Sequence, residues 1–390
     1  MTGVELERRK LRDLLLETGA LAPDWVSAYE TVPRQLFLPE VMWPFDDGRD
    51  LTVSKTDTPG DWHRWANSDV AIVTQWDDGH HTGTAPGEER TSSSSMPSLV
   101  FSMFGDLSVT DGAKVLEIGT GTGWCAALLS ARLGEHNVFS VEVDAVVAGR
   151  AREALHAAGW RPRVVTGDGL LGWADGAPYD RILVTAAVHE VPRAWIEQTR
   201  PGGVIVMPWG TRHSHQDAIA RLTVADDGTA GGHFTRLAQF MYIRSHRLEI
   251  RHTDYVPGDD WPTDTRHTTT SLTAPSLLAP AATFALSLLT PGCVRIAGHN
   301  SDGTPALWLY GLDDRSWAAV YFDEDHPAAS PVFQGGPRNL WDEVEAAHRW
   351  WAERGRPECE EFGLTVTSDG RQQVWLGEPS APVPQTVPTH

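Results

Sequence analysis

The stretch VLEIGTGTGWC (115–125) decides how the chain folds. An apolar run of strand length enters a turn in which Gly119, Gly121 and Gly123 alternate, and the helical pattern WCAALLSARLG (124–134) leaves it. Glycines suit such a bend because the backbone must reverse sharply and let a ligand approach without a Cβ in the way. Taken by itself, G-x-G-x-G fits a nucleotide-type site or a plain glycine turn equally well. The flanking pattern narrows the choice. AKVLEIG (113–119), NVFSVEVD (137–144), RVVTGDG (163–169), YDRILVTAA (179–187) and VIVMPWG (204–210) read as strands, with helices at 124–134, 145–159 and 194–203 between them. Residues 218–244 then read as two strands joined by a Gly-rich hairpin. Strands alternating with helices in this order predict a doubly wound α/β sheet covered on both faces.

Three acidic residues surround the glycine turn. Glu142 closes the second strand, where a carboxylate can accept both hydroxyls of a ribose. Asp168, in TGDG (166–169), closes the third strand, where it can meet an adenine amino group. Glu117 precedes the glycines, on the approach to a cationic or amine-bearing ligand. Three carboxylates would repel a pyrophosphate and suit an adenosine carrying a positive centre, so S-adenosyl-L-methionine is the expected cofactor and S-adenosyl-L-homocysteine its product. A nicotinamide-dependent oxidoreductase is the competing class. Against it, Trp124 stands where the third glycine of G-x-G-x-x-G should be. A binding protein that keeps the pocket without chemistry is a further alternative.

The remaining sequence bounds the answer. With 390 residues, 41% hydrophobic and 22% charged, the chain has the composition of a globular protein of two or three domains. No run of 18 apolar residues suggests a membrane span, and MTGVELERRKLRDLLLETG lacks the apolar core of a secretory signal, so a cytoplasmic protein with no membrane partner is expected. The formal charge of −20 argues against nucleic acid as a partner. Cys125, Cys293 and Cys359 are too few and too scattered for a disulfide framework or a zinc site. Residues 1–98 read as N-terminal helices and a substrate-side segment, in which only VAIVTQW (70–76) has a strand pattern. Residues 99–250 form the cofactor-binding core, 251–378 a small C-terminal α+β domain, and 379–390 a Pro-rich, disordered tail. The C-terminal domain should hold a helix at 280–289, strands at 306–312 and 316–322, a helix at 339–355 and a hairpin at 361–378.

Several ordered motifs resemble the protein-L-isoaspartate O-methyltransferase family of class I methyltransferases, over roughly residues 30–244. VPRQLFLP (32–39) is similar to that family's V-P-R-x-x-F-V-P, and Ser95-Met96-Pro97 to its S-x-P. VLEIGTGTG, VVTGDG with APYD (177–180), and ILVTAA (182–187) follow in the family's order. VPRAWIEQTRPGGVIVMPWG (191–210) resembles a further stretch, with Trp195 and Thr199 where the family has Leu. The resemblance implies a seven-stranded sheet and a cofactor site made by Glu117, Gly119, Thr120, Gly121, Gly123, Glu142, Val143, Gly167, Asp168, Gly169 and Thr185. It also implies that Ser95, or Ser94 given the uncertain register of the serine run, orients an acceptor carboxylate, with backbone at Thr185-Ala186 as the floor. The partner would be a peptide or protein bearing Asp or isoAsp. Two departures stand out: T-S-S-S-S (91–95) replaces the family's Q-T-I-S run after an enlarged segment, and the chain continues well past the last core strand. Both resemble the branch associated with ribosomally made, modified peptides, in which an Asp side chain is methylated and the ester cyclises to aspartimide. Repair of isoaspartyl proteins is the alternative.

Plainer readings apply to several of these features. Ser92–Ser95 could be a polar linker with a helix cap at Ser95, and Glu142 and Asp168 could be ordinary strand-end residues. His80-His81 and His213-x-His215 have no third ligand at metal-site spacing, so they read as exposed loop histidines and no metal is expected. Trp341, Trp350 and Trp351 share one amphipathic helix and read as core rather than as a peptide shelf.

Overall fold

Alternation of buried strands with covering helices produces the expected α/β core, seen in a computed structural model that describes residues 3–258, 261–300, 303–323 and 329–385. The N-terminal region carries helices α1 (Gly3–Glu17), α2 (Val26–Thr31) and α3 (Pro59–Ala66). It also carries strands β1 (Val41–Asp46), β2 (Arg49–Asp50), β3 (Val53–Ser54), β4 (Ile72–Trp76) and β5 (Arg90–Ser94). These five strands form a separate small sheet in which β5 pairs with β4, Ser94 opposite Ile72 and Ser93 opposite Val73. The expectation of one strand in this region is therefore corrected to five. Pro44 lies inside β1 and masks its strand signal, and β2 and β3 span two residues each, too short to show an alternating pattern.

After α4 (Pro97–Leu107) the core follows as β6 (Val115–Ile118), α5 (Trp124–Leu133), β7 (Val138–Glu142), α6 (Ala145–Ala157), β8 (Arg163–Thr166), β9 (Tyr179–Val184), α7 (Arg193–Gln198), β10 (Thr199–Trp209), β11 (Asp217–Val224) and β12 (Ala230–Ala238). Strands β6 to β10 are parallel, and β11 and β12 continue antiparallel. The C-terminal region contributes β13 (Arg266–Thr270), α8 (Ala274–Leu278), α9 (Pro280–Leu289), β14 (Cys293–His299), β15 (Pro305–Gly311), β16 (Trp317–Tyr321), β17 (Ser330–Gly335), α10 (Leu340–Glu353), β18 (Phe362–Val366) and β19 (Gln372–Leu376). Strands β13 to β17 make an antiparallel sheet of order β13-β17-β16-β15-β14.

The main sheet has nine strands, in the order β19-β18-β12-β11-β10-β9-β6-β7-β8, rather than seven. The expected C-terminal hairpin forms, but it adds to the free edge of β12, with Gly231 opposite Thr365 and His233 opposite Gly363. The edge of a sheet offers unpaired N–H and C=O groups, and the hairpin satisfies them. The tail is likewise corrected in part. Val383 is buried and its N–H donates to Val374 (2.9 Å), so residues 379–385 fold back on β19, and 386–390 lie outside the described residues. Helix α10 buries Trp341 and Trp351 in the core as expected. No helix among the described residues is long and apolar enough to cross a membrane.

Packing of the hairpin generates a stability prediction. The Trp375 ring lies over Gly363 so closely that a Cβ there would meet it at 2.2 Å. Gly363→Ala should therefore destabilise the protein by about 1–3 kcal/mol, as overpacked cores do. Denaturant unfolding measures it, and an unchanged midpoint would refute this account of the edge.

Candidate functional site

The C-terminal ends of β6, β7, β8 and β9 open into one cavity of about 390 Å³. Of the residues expected at the site, Ser94, Ser95, Gly119, Thr120, Gly121, Glu142, Val143, Asp168, Gly169 and Thr185 line it. Glu117, Gly123 and Gly167 stand behind the wall. Gly123 has a positive φ at the start of α5, and the Gly167 N–H donates to the Glu142 carbonyl (2.9 Å).

Two glycines are required by contact. At Gly119, φ is +97° and a Cβ would lie 2.7 Å from Thr185 Oγ1. At Gly121, φ is +52° and a Cβ would lie 3.2 Å from the carbonyl oxygen of Ser93. The serine strand thus lies directly across the glycine turn, which excludes the flexible-linker reading. The N-cap of α4 is Met96, without a side-chain cap bond, so Ser95 is not a helix cap. The Ser94 hydroxyl is buried and accepts from Arg34 Nε (2.9 Å), whereas Ser95 is partly exposed on the cavity wall.

The acids divide by environment. Glu142 accepts from the N–H groups of Gly121 (2.9 Å) and Asp144 (3.1 Å). Burial pushes its carboxyl up in pKa, against the pull of those two donors. Asp168 is exposed, and its Oδ1 accepts from Leu170 N (2.9 Å). Glu117 is fully buried beneath the turn. It accepts from the Ser140 hydroxyl, which also bonds Thr120 Oγ1 (2.6 Å), and its Oε1 has no hydrogen-bond partner among the described residues. Burial raises Glu117 to about 8, so the unpartnered group is held as a neutral acid at pH 7.

Sequence reasoning missed the roof. Residues Met241–Arg244 and Arg247 also line the cavity, on a segment that pairs with residue 187 through Ala187 N to Met241 O (2.9 Å) and Ile243 N to Ala187 O (3.0 Å). Arg244 bonds Asp144 (2.8 Å) and Asp78 (3.0 Å), and Arg247 bonds Asp78 and Glu89 (3.0 Å each). Burial opposes ionisation of Asp144. The Arg244, Val147 and Gln75 donors outweigh it and hold Asp144 at about 2. No motif marks these residues, because their partners lie far away in sequence. Behind the roof, Asp217 is fully buried near Tyr242 Oη (3.1 Å), and burial raises it to about 8. His213 is also corrected. It is buried against Thr290 (3.0 Å), and burial lowers it to about 3, because the loop after β10 is covered by α9 and β14.

A parallel sheet with a glycine turn beneath it and an acid closing the next strand defines the nucleoside-binding class of α/β proteins. Comparison with known proteins narrows this. Residues 81–245 match the family profile described as Protein-L-isoaspartate(D-aspartate) O-methyltransferase (PCMT). The protein-L-isoaspartate O-methyltransferase of Methanothermobacter thermautotrophicus is 33% identical over 225 residues, covering 57% of this chain and 88% of that protein. The one from Thermococcus onnurineus is 40% identical over 134 residues, 34% of this chain and 60% of the relative, so this second match spans less than two thirds of its partner. A solved structure titled protein-L-isoaspartate O-methyltransferase superposes with a TM-score of 0.53 at 22% identity, covering 95% of this chain and all of that one, which shows the shared fold. The chain belongs to the protein-L-isoaspartate O-methyltransferase family.

The cofactor of this family is S-adenosyl-L-methionine, and the cavity fits it: the glycine turn leaves the space that a Cβ would fill, Glu142 and Asp168 stand on neighbouring strand ends, and a buried acid with an unpartnered oxygen lies beneath.

Two predictions follow from these environments. Glu142→Ala should weaken S-adenosyl-L-homocysteine binding about tenfold to a hundredfold, the loss of a charge-assisted hydrogen bond, as read by calorimetry. Folded Asp217 keeps its proton to about pH 8, whereas an unfolded Asp loses it near 4. Between those values the folded state holds the extra proton, so stability falls as pH rises. Asp217→Asn abolishes that slope. The melting temperature of the variant relative to the parent should therefore be higher at about pH 8 than at about pH 5, and equal differences at both would refute a protonated Asp217.

Proposed function

We propose that the protein transfers the methyl group of S-adenosyl-L-methionine to the side-chain carboxylate of an aspartyl-type residue in a peptide or protein. The observation that carries this reading is the serine strand, which lies across the glycine turn and puts Ser95 on the wall of the cofactor cavity. When bound, the cofactor supplies an electrophilic methyl group on a sulfonium and departs as S-adenosyl-L-homocysteine. An acceptor carboxylate has an unperturbed pKa near 4, so at pH 7 it is already the nucleophile and needs no general base. The chain's work is then alignment, which can contribute about 7–11 kcal/mol to lowering a barrier. Ser95 donates its hydroxyl proton to one carboxylate oxygen and leaves the other aimed at the methyl carbon. Ser94 is less suited, since its hydroxyl is buried and engaged by Arg34. Thr185 and Ala186 supply the floor, and the segment 241–247 keeps water out.

The names of the relatives favour an L-isoaspartyl residue as the acceptor. A second reading is Asp in a constrained, ribosomally made peptide with the ester closing to aspartimide; what supports it is the run T-S-S-S-S (91–95), which differs from the Q-T-I-S run of the family it resembles. The C-terminal sheet does not discriminate, because the solved family structure matches 95% of the chain.

Incubation with methyl-labelled cofactor, a linear isoaspartyl peptide and a cyclic Asp peptide tests both readings. Turnover of the linear peptide alone supports the first and refutes the second; turnover of the cyclic peptide alone does the reverse; labelling of neither refutes carboxyl methylation. Ser95→Ala should leave S-adenosyl-L-homocysteine affinity unchanged and lower kcat about a hundredfold. Full turnover would reject the assigned role.

A further inference from the structure

Arg34 is the most deeply buried cation near the site, and neither the cofactor nor the acceptor reading uses it. Its side chain is 3% exposed, and no ion pair involves it among the described residues. It makes five hydrogen bonds instead. Nε donates to Ser94 Oγ (2.9 Å), and Nη2 donates to the carbonyls of Ser94 (2.9 Å), Ser95 (3.0 Å) and Val70 (3.0 Å). Nη1 donates to the Ser68 carbonyl (3.3 Å). On its other side the guanidinium lies 5.5 Å from the ring of Trp124, the first residue of α5 after the glycine turn. Trp124 in turn donates to the Val32 carbonyl (3.2 Å), which fastens the 32–34 segment to the same helix.

Such a burial is costly. Taking a guanidinium out of water without a carboxylate partner opposes its charge, and burial lowers Arg34 to about 9. It still keeps its proton at pH 7. A lysine would bring one donor group where the planar fork brings three, so it could not tie two consecutive serine residues and the β4 side at once. The protein as a whole carries a formal charge of −20, which repels an anionic acceptor. A fixed positive charge one residue behind the wall, whose donors are spent on the Ser94 hydroxyl and four carbonyls rather than on an ion pair, offsets that repulsion at one point.

We propose that Arg34 is the positioning residue for the methyl acceptor: it locks Ser94 and Ser95 against the glycine turn and places a buried positive charge, with no carboxylate in contact with it among the described residues, behind the spot where the acceptor carboxylate docks. The proposal rests on the carboxyl-methylation reading and adds the residue that selects a charged acceptor over a neutral one.

The experiment uses the full chain saturated with S-adenosyl-L-homocysteine. It compares binding of whichever peptide is turned over in the labelled-cofactor assay with its carboxamide counterpart, Asp or isoAsp against the amide, in Arg34→Lys, Arg34→Gln and Ser94→Ala. Affinity for S-adenosyl-L-homocysteine is measured first as the check on folding and should stay within about twofold of the parent. Arg34→Lys and Ser94→Ala should lower kcat by about tenfold to a hundredfold through misplacement of Ser95, and keep the preference for the carboxylate peptide. Arg34→Gln should lose that preference, weakening the carboxylate peptide about tenfold and the amide peptide not at all. Equal weakening of both peptides, or an unchanged kcat in Ser94→Ala, overturns the proposal. Should Arg34→Gln fail to fold, the kcat of Arg34→Lys decides the positioning role, and a parental kcat there overturns the proposal. Failure of the methylation reading is separate, since it shows as the absence of any labelled peptide in the parent protein.

Discussion

A Cβ at position 121 would press on the serine strand, 3.2 Å from a carbonyl oxygen, from backbone at φ +52°. The Ser93 carbonyl covers it from one side, while the Gly121 N–H is held by Glu142 from the other. This crowding ties three parts of the molecule together. The glycine turn is set by the parallel strands, Glu142 by the end of the second of them, and the serine strand by a small sheet built from a different stretch of chain. Displacing any one of these would separate the serine strand from the glycine turn.

The electrostatics follow the same logic. In an acidic protein, the arginines at this cavity are each committed. Arg244 and Arg247 pair with Asp78, Asp144 and Glu89, and Arg34 spends its donors on the Ser94 hydroxyl and backbone oxygens. Carboxyl groups near the cavity separate into those held ionised by paired donors, such as Asp144, and those kept neutral by burial, such as Glu117 and Asp217. Environment rather than residue type decides the state of each acid.

Residues 113–210 were legible in the sequence because both signals there are local: buried strands read as apolar runs, and the glycine turn and strand-end acids sit at fixed offsets from them. The cavity accordingly contains most of the residues named in advance. The five-stranded sheet of residues 41–94 was not legible, since strands of two residues and a Pro-bearing strand carry no period. The roof at 241–247 escaped for a different reason: Arg244 reads as a surface residue until Asp78 and Asp144 are brought beside it by the fold. His213, a loop histidine by its neighbours, is buried by α9 and β14, which come much later in the chain. The hairpin at 361–378 was recognisable from its Ser-Asp-Gly turn, but its docking on β12 is a long-range pairing with no sequence mark.

That docking has a consequence for how the protein is born on the ribosome. Strand β12 emerges early, yet the strand that covers it is separated from it by the entire C-terminal sheet. Throughout that interval β12 is the outer rim of an unfinished sheet, a template for pairing with other nascent chains. The sheet closes only after residues 362–376 are released, so the pairing groups of that rim stay uncovered until nearly the whole chain has been made.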